Sequence, residues 1–263
     1  MTDSTSPVCM ITGAATGIGA ATALRFARAG WSVAIGNFDA STRAFAADVE
    51  MQCRASGADA LVFDADVSRD ADCRRAVDKV ATRWRRIDAL VNCAGTTRVI
   101  PHHALDALDA AEFERVYRVN AIGVFQMTSA AAPLLRETAT EECSTSVINV
   151  SSLAGLNGTG SSIAYAASKG AVNTMTLSLA RSLAPHVRVN AIAPGMVDDG
   201  LLRRSLDADA YASVLSRMKT NAPLKRVSTP AEMAELVWFL AAHAHAMTGQ
   251  VIAAENGLLL TGV

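Results

Sequence analysis

Seven short apolar runs, each separated from the next by a longer, more polar stretch, limit what this chain can fold into. They are VCMIT (8–12), SVAIG (32–36), ALVFDADV (60–67), ALVNCAG (89–95), SVINVSS (146–152), VRVNAIAPG (187–195) and TGQVIAAENG (248–257). Near-continuous apolar strands have no face to offer water, so the sheet they build must be covered on both sides. Strands that alternate with helices pair in parallel, because each return needs a crossover. The expected fold is α/β: a doubly wound parallel sheet of about seven strands, with helices such as 18–29 and 41–56 on both faces. No linker, repeat or low-complexity stretch interrupts the pattern, so 1–263 reads as a single domain. The least regular part, 196–222, is polar, partly helical and follows a strand end directly, where a substrate lid belongs.

Composition removes several classes of function. A net charge of -1 gives no electrostatic case for nucleic acid or an anionic membrane. Apolar stretches are broken by polar residues before they reach membrane-spanning length. The start, MTDSTSPVCM, lacks the basic and apolar regions of a secretion signal, so a cytoplasmic location is expected. Cys9, Cys53, Cys73, Cys93 and Cys143 are odd in number and contain no Cys-x-x-Cys; they read as reduced thiols, with no metal site.

The first strand runs into ITGAATGIGAATALRFARAG, where Gly13, Gly17 and Gly19 are spaced G-x-x-x-G-x-G. Glycine belongs where backbone turns tightly or approaches a ligand closely. A helix starting near Ile18 aims free N–H groups and its positive dipole end into that turn, which favours a pyrophosphate. Farther along, AYAASKGA places Tyr165 and Lys169 four apart, on one helix face.

These features occur with others in a fixed order. Thr12-Gly13-x-x-x-Gly17-Ile18-Gly19, NCAG (92–95), Asn120 in VYRVNAIG, NVSS (149–152), Tyr165-x-x-x-Lys169 and APG (193–195) resemble the short-chain dehydrogenase/reductase family, in particular its 3-oxoacyl-carrier-protein-reductase-like members. The similarity spans about residues 8–258. It implies a Rossmann-type fold, a homotetramer and a small carbonyl or alcohol substrate. It also implies a catalytic tetrad of Asn120, Ser152, Tyr165 and Lys169. The family's serine lies 13 residues before its tyrosine, which selects Ser152 over Ser151. In those roles Tyr165 exchanges a proton with the substrate oxygen while hydride moves to or from a nicotinamide. Ser152 stabilises charge on that oxygen. Lys169, with the positive charge of an oxidised nicotinamide, lowers the phenol's pKa; Lys169 also holds ribose hydroxyls, and Asn120 binds a water on a proton path. The family's enoyl reductases separate tyrosine and lysine by six residues, not three, so the spacing here points to C=O/CH–OH chemistry.

The cofactor contacts implied by the resemblance are Gly13, Thr16, Gly17, Ile18 and Gly19 at the phosphates. Asp66, Val67, Asn92, Ala94 and Gly95 are placed around the adenosine, and Pro194, Gly195 and Val197 near the nicotinamide. Three positions depart from the pattern. Asn37 stands where NAD-preferring members carry Asp; it neither binds a ribose diol as an anion nor repels a 2′-phosphate. Arg43 is within reach of that phosphate, whereas Asp39 would supply the carboxylate if the turn were shifted. The cofactor is NADP or NAD, with NADP favoured. Cys93 replaces an asparagine in NCAG, and Asp199 replaces the threonine four residues past Gly195. His102 and His103 fall beside the expected substrate mouth and read as a solvated loop.

The expected function is NAD(P)-dependent interconversion of a ketone and a secondary alcohol, with NADPH-dependent carbonyl reduction preferred. The alternatives are an NAD-dependent alcohol or polyol dehydrogenase and a non-catalytic cofactor-binding regulator.

Overall fold

A computed structural model of the protein describes residues 6–261. Among these, seven parallel strands form one sheet: β1 (Val8–Thr12), β2 (Ser32–Asn37), β3 (Ala60–Asp64), β4 (Ala89–Asn92), β5 (Thr145–Val150), β6 (Val187–Pro194) and β7 (Val251–Ala254). Their order is β3-β2-β1-β4-β5-β6-β7, so the direction of winding reverses between β1 and β4. At such a switch point the carboxyl ends of the strands open a crevice. The last five strands are shorter than their apolar runs. The 60–67 run leaves the sheet after Asp64 because Asp66 starts a turn, its carboxylate accepting the Ser68 N–H at 2.9 Å.

Helices α1 (Gly17–Arg28), α2 (Arg43–Ala55) and α3 (Asp70–Trp84) follow the first three strands. α4 (Ala110–Tyr117) passes through a π-turn, Arg118–Ile122, into α5 (Gly123–Thr138). A one-turn α6 (Ala154–Asn157) precedes the long α7 (Ile163–Leu183); α8 (Ala208–Asn221) and α9 (Pro230–Ala242) complete the set. α1, α2 and α9 cover one face, where Phe26, Trp31 and Trp238 meet edge to face with centroids 5.0–5.6 Å apart. α3, α5 and α7 cover the other around Met127, Leu135 and Trp84. The exposed edge strand β3 is shielded by two cations: Arg54 donates to the Ala60 carbonyl and Lys79 to that of Val62. That blunts the edge against pairing with another chain. Among the described residues no helix is long and apolar enough to cross a membrane.

One buried cation supports the far end of the sheet. Arg188 on β6 is 5% exposed, and burial pulls its pKa down. Its guanidinium donates to the carbonyls of Leu240, Ala241 and Ala244 at 2.8–3.0 Å, where α9 ends. The Leu240 and Ala241 carbonyls lie in the last turn, where helix bonding leaves acceptors orphaned, and the charge opposes the negative end of the helix. Arg188→Met should cost about 3 kcal/mol and lower the thermal midpoint by roughly 10 °C, read by circular dichroism.

Candidate active site

The first strand ends at Thr12, and Gly13 turns the chain in the left-handed region (φ 63°). A Cβ on Gly13 would lie 2.8 Å from the Ala94 backbone, and one on Gly19 would lie 2.2 Å from the Gly13 carbonyl oxygen. Both glycines are therefore demanded by close backbone approach. The first turn of α1 carries no acidic residue, and Thr16, its N-cap, makes no side-chain capping bond. The N–H groups of Gly17 and Ile18 thus start a helix whose positive end has no side chain to neutralise it, which suits an anion. Thr12 Oγ1 accepts from the N–H groups of Cys93 and Ala94, at 3.0 and 3.1 Å, and fastens the end of β1 to the loop after β4.

Across the switch point, β5, α7 and the π-turn bring Ser152, Tyr165, Lys169 and Asn120 together. Ser162 caps α7 by accepting the Tyr165 N–H, which fixes where the helix begins and which turn Tyr165 and Lys169 share. Ser152 Oγ accepts the Ala154 N–H at 3.2 Å and lies beside the Tyr165 phenol, whose ionised form it favours. Ser151 does not compete: it is buried and its hydroxyl is given to Asn173 and the Lys169 carbonyl. Lys169 Nζ donates to the Val150 carbonyl at 2.7 Å and lies 5.8 Å from the Tyr165 ring centroid. Asn120 is fully buried; its Oδ1 accepts the Thr96 N–H at 2.8 Å, and its Nδ2 donates to the Thr96 carbonyl and to Ser168 Oγ, both at 3.0 Å. Thr96 and Ser168 went unnoticed in the sequence, although each adjoins a motif residue. Gly95 lies beside this group. A Cβ there would be 3.5 Å from Asn120 Oδ1 and 3.9 Å from Lys169 Nζ, ordinary contacts, so protein packing alone would tolerate a methyl group.

Burial dominates the electrostatics. The Tyr165 phenol is pushed above its ordinary 10 by desolvation, and the Ser152 hydrogen bond offsets this only in part. This corrects the expectation of a lowered phenol. Lys169 does not act on it as a full exposed charge would, because desolvation lowers Lys169 itself from 10.5 to about 8. Burial raises the Cys93 thiol to about 11, against the pull of the Lys169 ammonium and the Gly19 N–H. Cys93 is therefore a protonated thiol, not a reactive one.

Two of the asparagines expected at the cofactor turn their amides inward. Asn92 is 3% exposed and its Nδ2 donates to Thr128 Oγ1 and Asn149 Oδ1, inside the sheet. Asn37 is 2% exposed; its Nδ2 donates to the Asp39 carbonyl and to Asp64 Oδ1, and its Oδ1 accepts from Thr42. Only their backbones remain for a ligand. The Asp39 carboxylate is engaged as well, accepting from Ser41 N and Oγ at 2.9 and 2.6 Å. Val67 packs its side chain where Gly123 leaves room, and its carbonyl accepts from Gln126 at 2.7 Å.

The segment after β6 crosses back over the phosphate turn. Pro194 holds the loop beyond Ser152 through its carbonyl, which accepts the Leu153 N–H; Gly195 abuts Glu255 too closely for any side chain. Val197 bridges to Ser228. Asp199 adopts a left-handed conformation (φ 58°), and its carbonyl oxygen lies 3.4 Å from where a Gly17 Cβ would be. Tyr211 of α8 anchors it, donating to Asp198 Oδ1 at 2.8 Å and accepting the Asp199 N–H at 3.0 Å.

Known proteins resemble this chain in sequence and fold. A family model described as enoyl-(acyl carrier protein) reductase matches residues 13–259. The granaticin polyketide synthase of Streptomyces violaceoruber includes a protein provisionally named ketoacyl reductase 2; it is 38% identical over 254 residues, 96% of either chain. The 3-oxoacyl-(acyl-carrier-protein) reductase of Thermotoga maritima is 36% identical, covering 96% of this chain and 98% of its own. A Burkholderia xenovorans protein provisionally named a short-chain dehydrogenase/reductase has a crystal structure with a TM-score of 0.92 at 74% identity, covering 98% of this chain and 99% of that one. With the doubly wound sheet and the matched relatives in agreement, the chain belongs to the short-chain dehydrogenase/reductase family and is an oxidoreductase of the CH–OH/C=O class.

Proposed function

We propose that this protein reduces a ketone to a secondary alcohol, with NADPH preferred to NADH, and that 3-ketoacyl thioesters are the first substrates to try. The carrying observation is the Tyr165 phenol, half-buried beside Ser152, raised in pKa by desolvation and so protonated at neutral pH. Such a group is ready to donate a proton, which is what carbonyl reduction asks of it. The bound nicotinamide supplies the hydride. Ser152 hydrogen-bonds the same substrate oxygen and stabilises its developing charge. Lys169 carries the nearby positive charge, and Asn120 fixes the Thr96 loop beside it. The residues present fit a dinucleotide: the uncapped start of α1 suits a pyrophosphate, and the space over Gly95 adjoins Lys169. Asp39, the aspartate just past β2, gives one carboxylate oxygen to Ser41, while Arg43 stands half-exposed there, which supports NADPH. The names of the relatives support a ketoacyl substrate. The i, i+4 spacing of Tyr165 and Lys169 favours C=O over C=C reduction, whatever the family description says. Exposed Ile122, Phe125 and Leu177, with Phe239, Leu259 and Leu260, provide apolar faces for the homotetramer, and a cytoplasmic location accords with the reduced cysteines.

Fluorescence titration with NADPH and with NADH tests the cofactor half. Tighter NADPH binding is expected, and binding of neither would remove the basis for the proposal. The pH profile tests the charge half. Lys169 titrates near 8 when folded and at 10.5 otherwise, so the folded chain binds the proton less well and its stability rises with pH between those values. Below about 8 the ammonium is present. The kcat/KM for the cofactor, which reports the free protein, should fall as pH rises through about 8. Lys169→Arg should show no such limb below about pH 10, because a guanidinium keeps its charge.

A further inference from the structure

Arg43 does not stand alone at the end of β2. In the parallel register Asn37 pairs with Asp64, the last residue of β3. Asp64 is held at both oxygens: Asn37 Nδ2 donates to Oδ1 at 2.8 Å, and Arg43 Nη1 donates to Oδ2. Asn37 is itself pinned by the Asp39 carbonyl and Thr42, and it is buried, so its grip fixes the carboxylate in place. Arg43, on the first residue of α2, is 53% exposed in its side chain, and its partner is 54% exposed. A guanidinium offers five N–H donors, so an edge of Arg43 remains for a second anion.

We infer that Asp64 is a specificity-determining residue: by holding Arg43 it limits how strongly the site distinguishes a 2′-phosphate from a 2′-hydroxyl. The inference rests on the reading that Arg43 meets the adenosine ribose. The physics is a competition. A 2′-phosphate that reaches Arg43 must approach a fixed carboxylate of the same sign, so part of the attraction is lost to repulsion. A 2′-hydroxyl brings no charge and is indifferent to the pair. The preference for NADPH is therefore smaller than Arg43 alone would give, and the chain retains use of NADH. Asp39 gives Oδ1 to Ser41 and forms no ion pair with Arg43, so Asp64 is the carboxylate that holds the guanidinium.

Asp64→Asn isolates the effect, because an asparagine keeps the oxygen that Asn37 grips and removes the charge. NADPH and NADH dissociation constants are measured by fluorescence titration of the full chain, for the parent, Asp64→Asn, Arg43→Ala and the double variant. Asp64→Asn should tighten NADPH about tenfold and leave NADH within about twofold, which also shows that the variant is folded. Arg43→Ala should weaken NADPH about tenfold with NADH unchanged, and in that background Asp64→Asn should gain less than about threefold. If Arg43→Ala weakens NADPH but Asp64→Asn leaves it unchanged, weakens it, or tightens both cofactors equally, the role given to Asp64 is wrong while the Arg43 reading stands. If Arg43→Ala leaves NADPH binding unaltered, the Arg43 reading fails and takes the inference with it.

Discussion

Tyr165→Phe should lower kcat for carbonyl reduction by about 10³–10⁴-fold and leave cofactor binding within about twofold. The ring is half-buried and its shape is kept, so the helix that carries Lys169 has no reason to move. What disappears is one hydroxyl, the proposed proton donor and the partner of Ser152. Removing the hydroxyl also relieves the desolvation of the phenol, so the thermal midpoint should change little. This combination separates a chemical role from a structural one: a variant that binds NADPH normally but does not turn over has lost the acid. Turnover near the parent level would mean that another group delivers the proton.

Gly19→Ala should be nearly as severe for a different reason. The added Cβ would be 2.2 Å from the Gly13 carbonyl oxygen and 2.9 Å from Ala14 Cα. Both are backbone atoms within a turn already fixed by Gly13 in the left-handed region, so neither can swing away. Reaching ordinary contact requires the start of α1 to back off by about 1 Å, and with it the N–H groups proposed to hold the pyrophosphate. Affinity for either cofactor should fall by at least about 100-fold, and stability by about 2–4 kcal/mol. Dissociation constants and thermal unfolding report the two losses. Unchanged affinity would show that the turn is not the phosphate site.

The sequence carried the sheet and the convergence of Asn120, Ser152, Tyr165 and Lys169 because both depend on spacing along the chain. Apolar runs fix which segments are strands, and the 13-residue offset singled out Ser152, whose neighbour Ser151 is indeed tied up elsewhere. What was not legible depends on direction and burial. Asn37 and Asn92 occupy the expected positions, yet each amide points into the protein, because Asp64 and Asn149 arrive from neighbouring strands. The pairing of Arg43 with Asp64 spans 21 residues and follows from β-sheet register, which no local pattern records. The shift of the Tyr165 phenol was read with the wrong sign for the same reason: an ammonium one turn away suggested stabilised phenolate, but burial weakens the ammonium and the phenolate alike. Likewise Asp199 was noticed for its carboxylate, whereas its backbone carbonyl is the group that lies over Gly17.

The most direct test of the proposed chemistry is to mix the protein with NADPH and a 3-ketoacyl thioester and follow both cofactor oxidation and the appearance of the 3-hydroxy product. Stoichiometric conversion, lost in Tyr165→Phe, is the predicted result. Tight cofactor binding with no hydride delivered to this or any other ketone would contradict carbonyl reduction and return the chain to the role of a cofactor-binding protein.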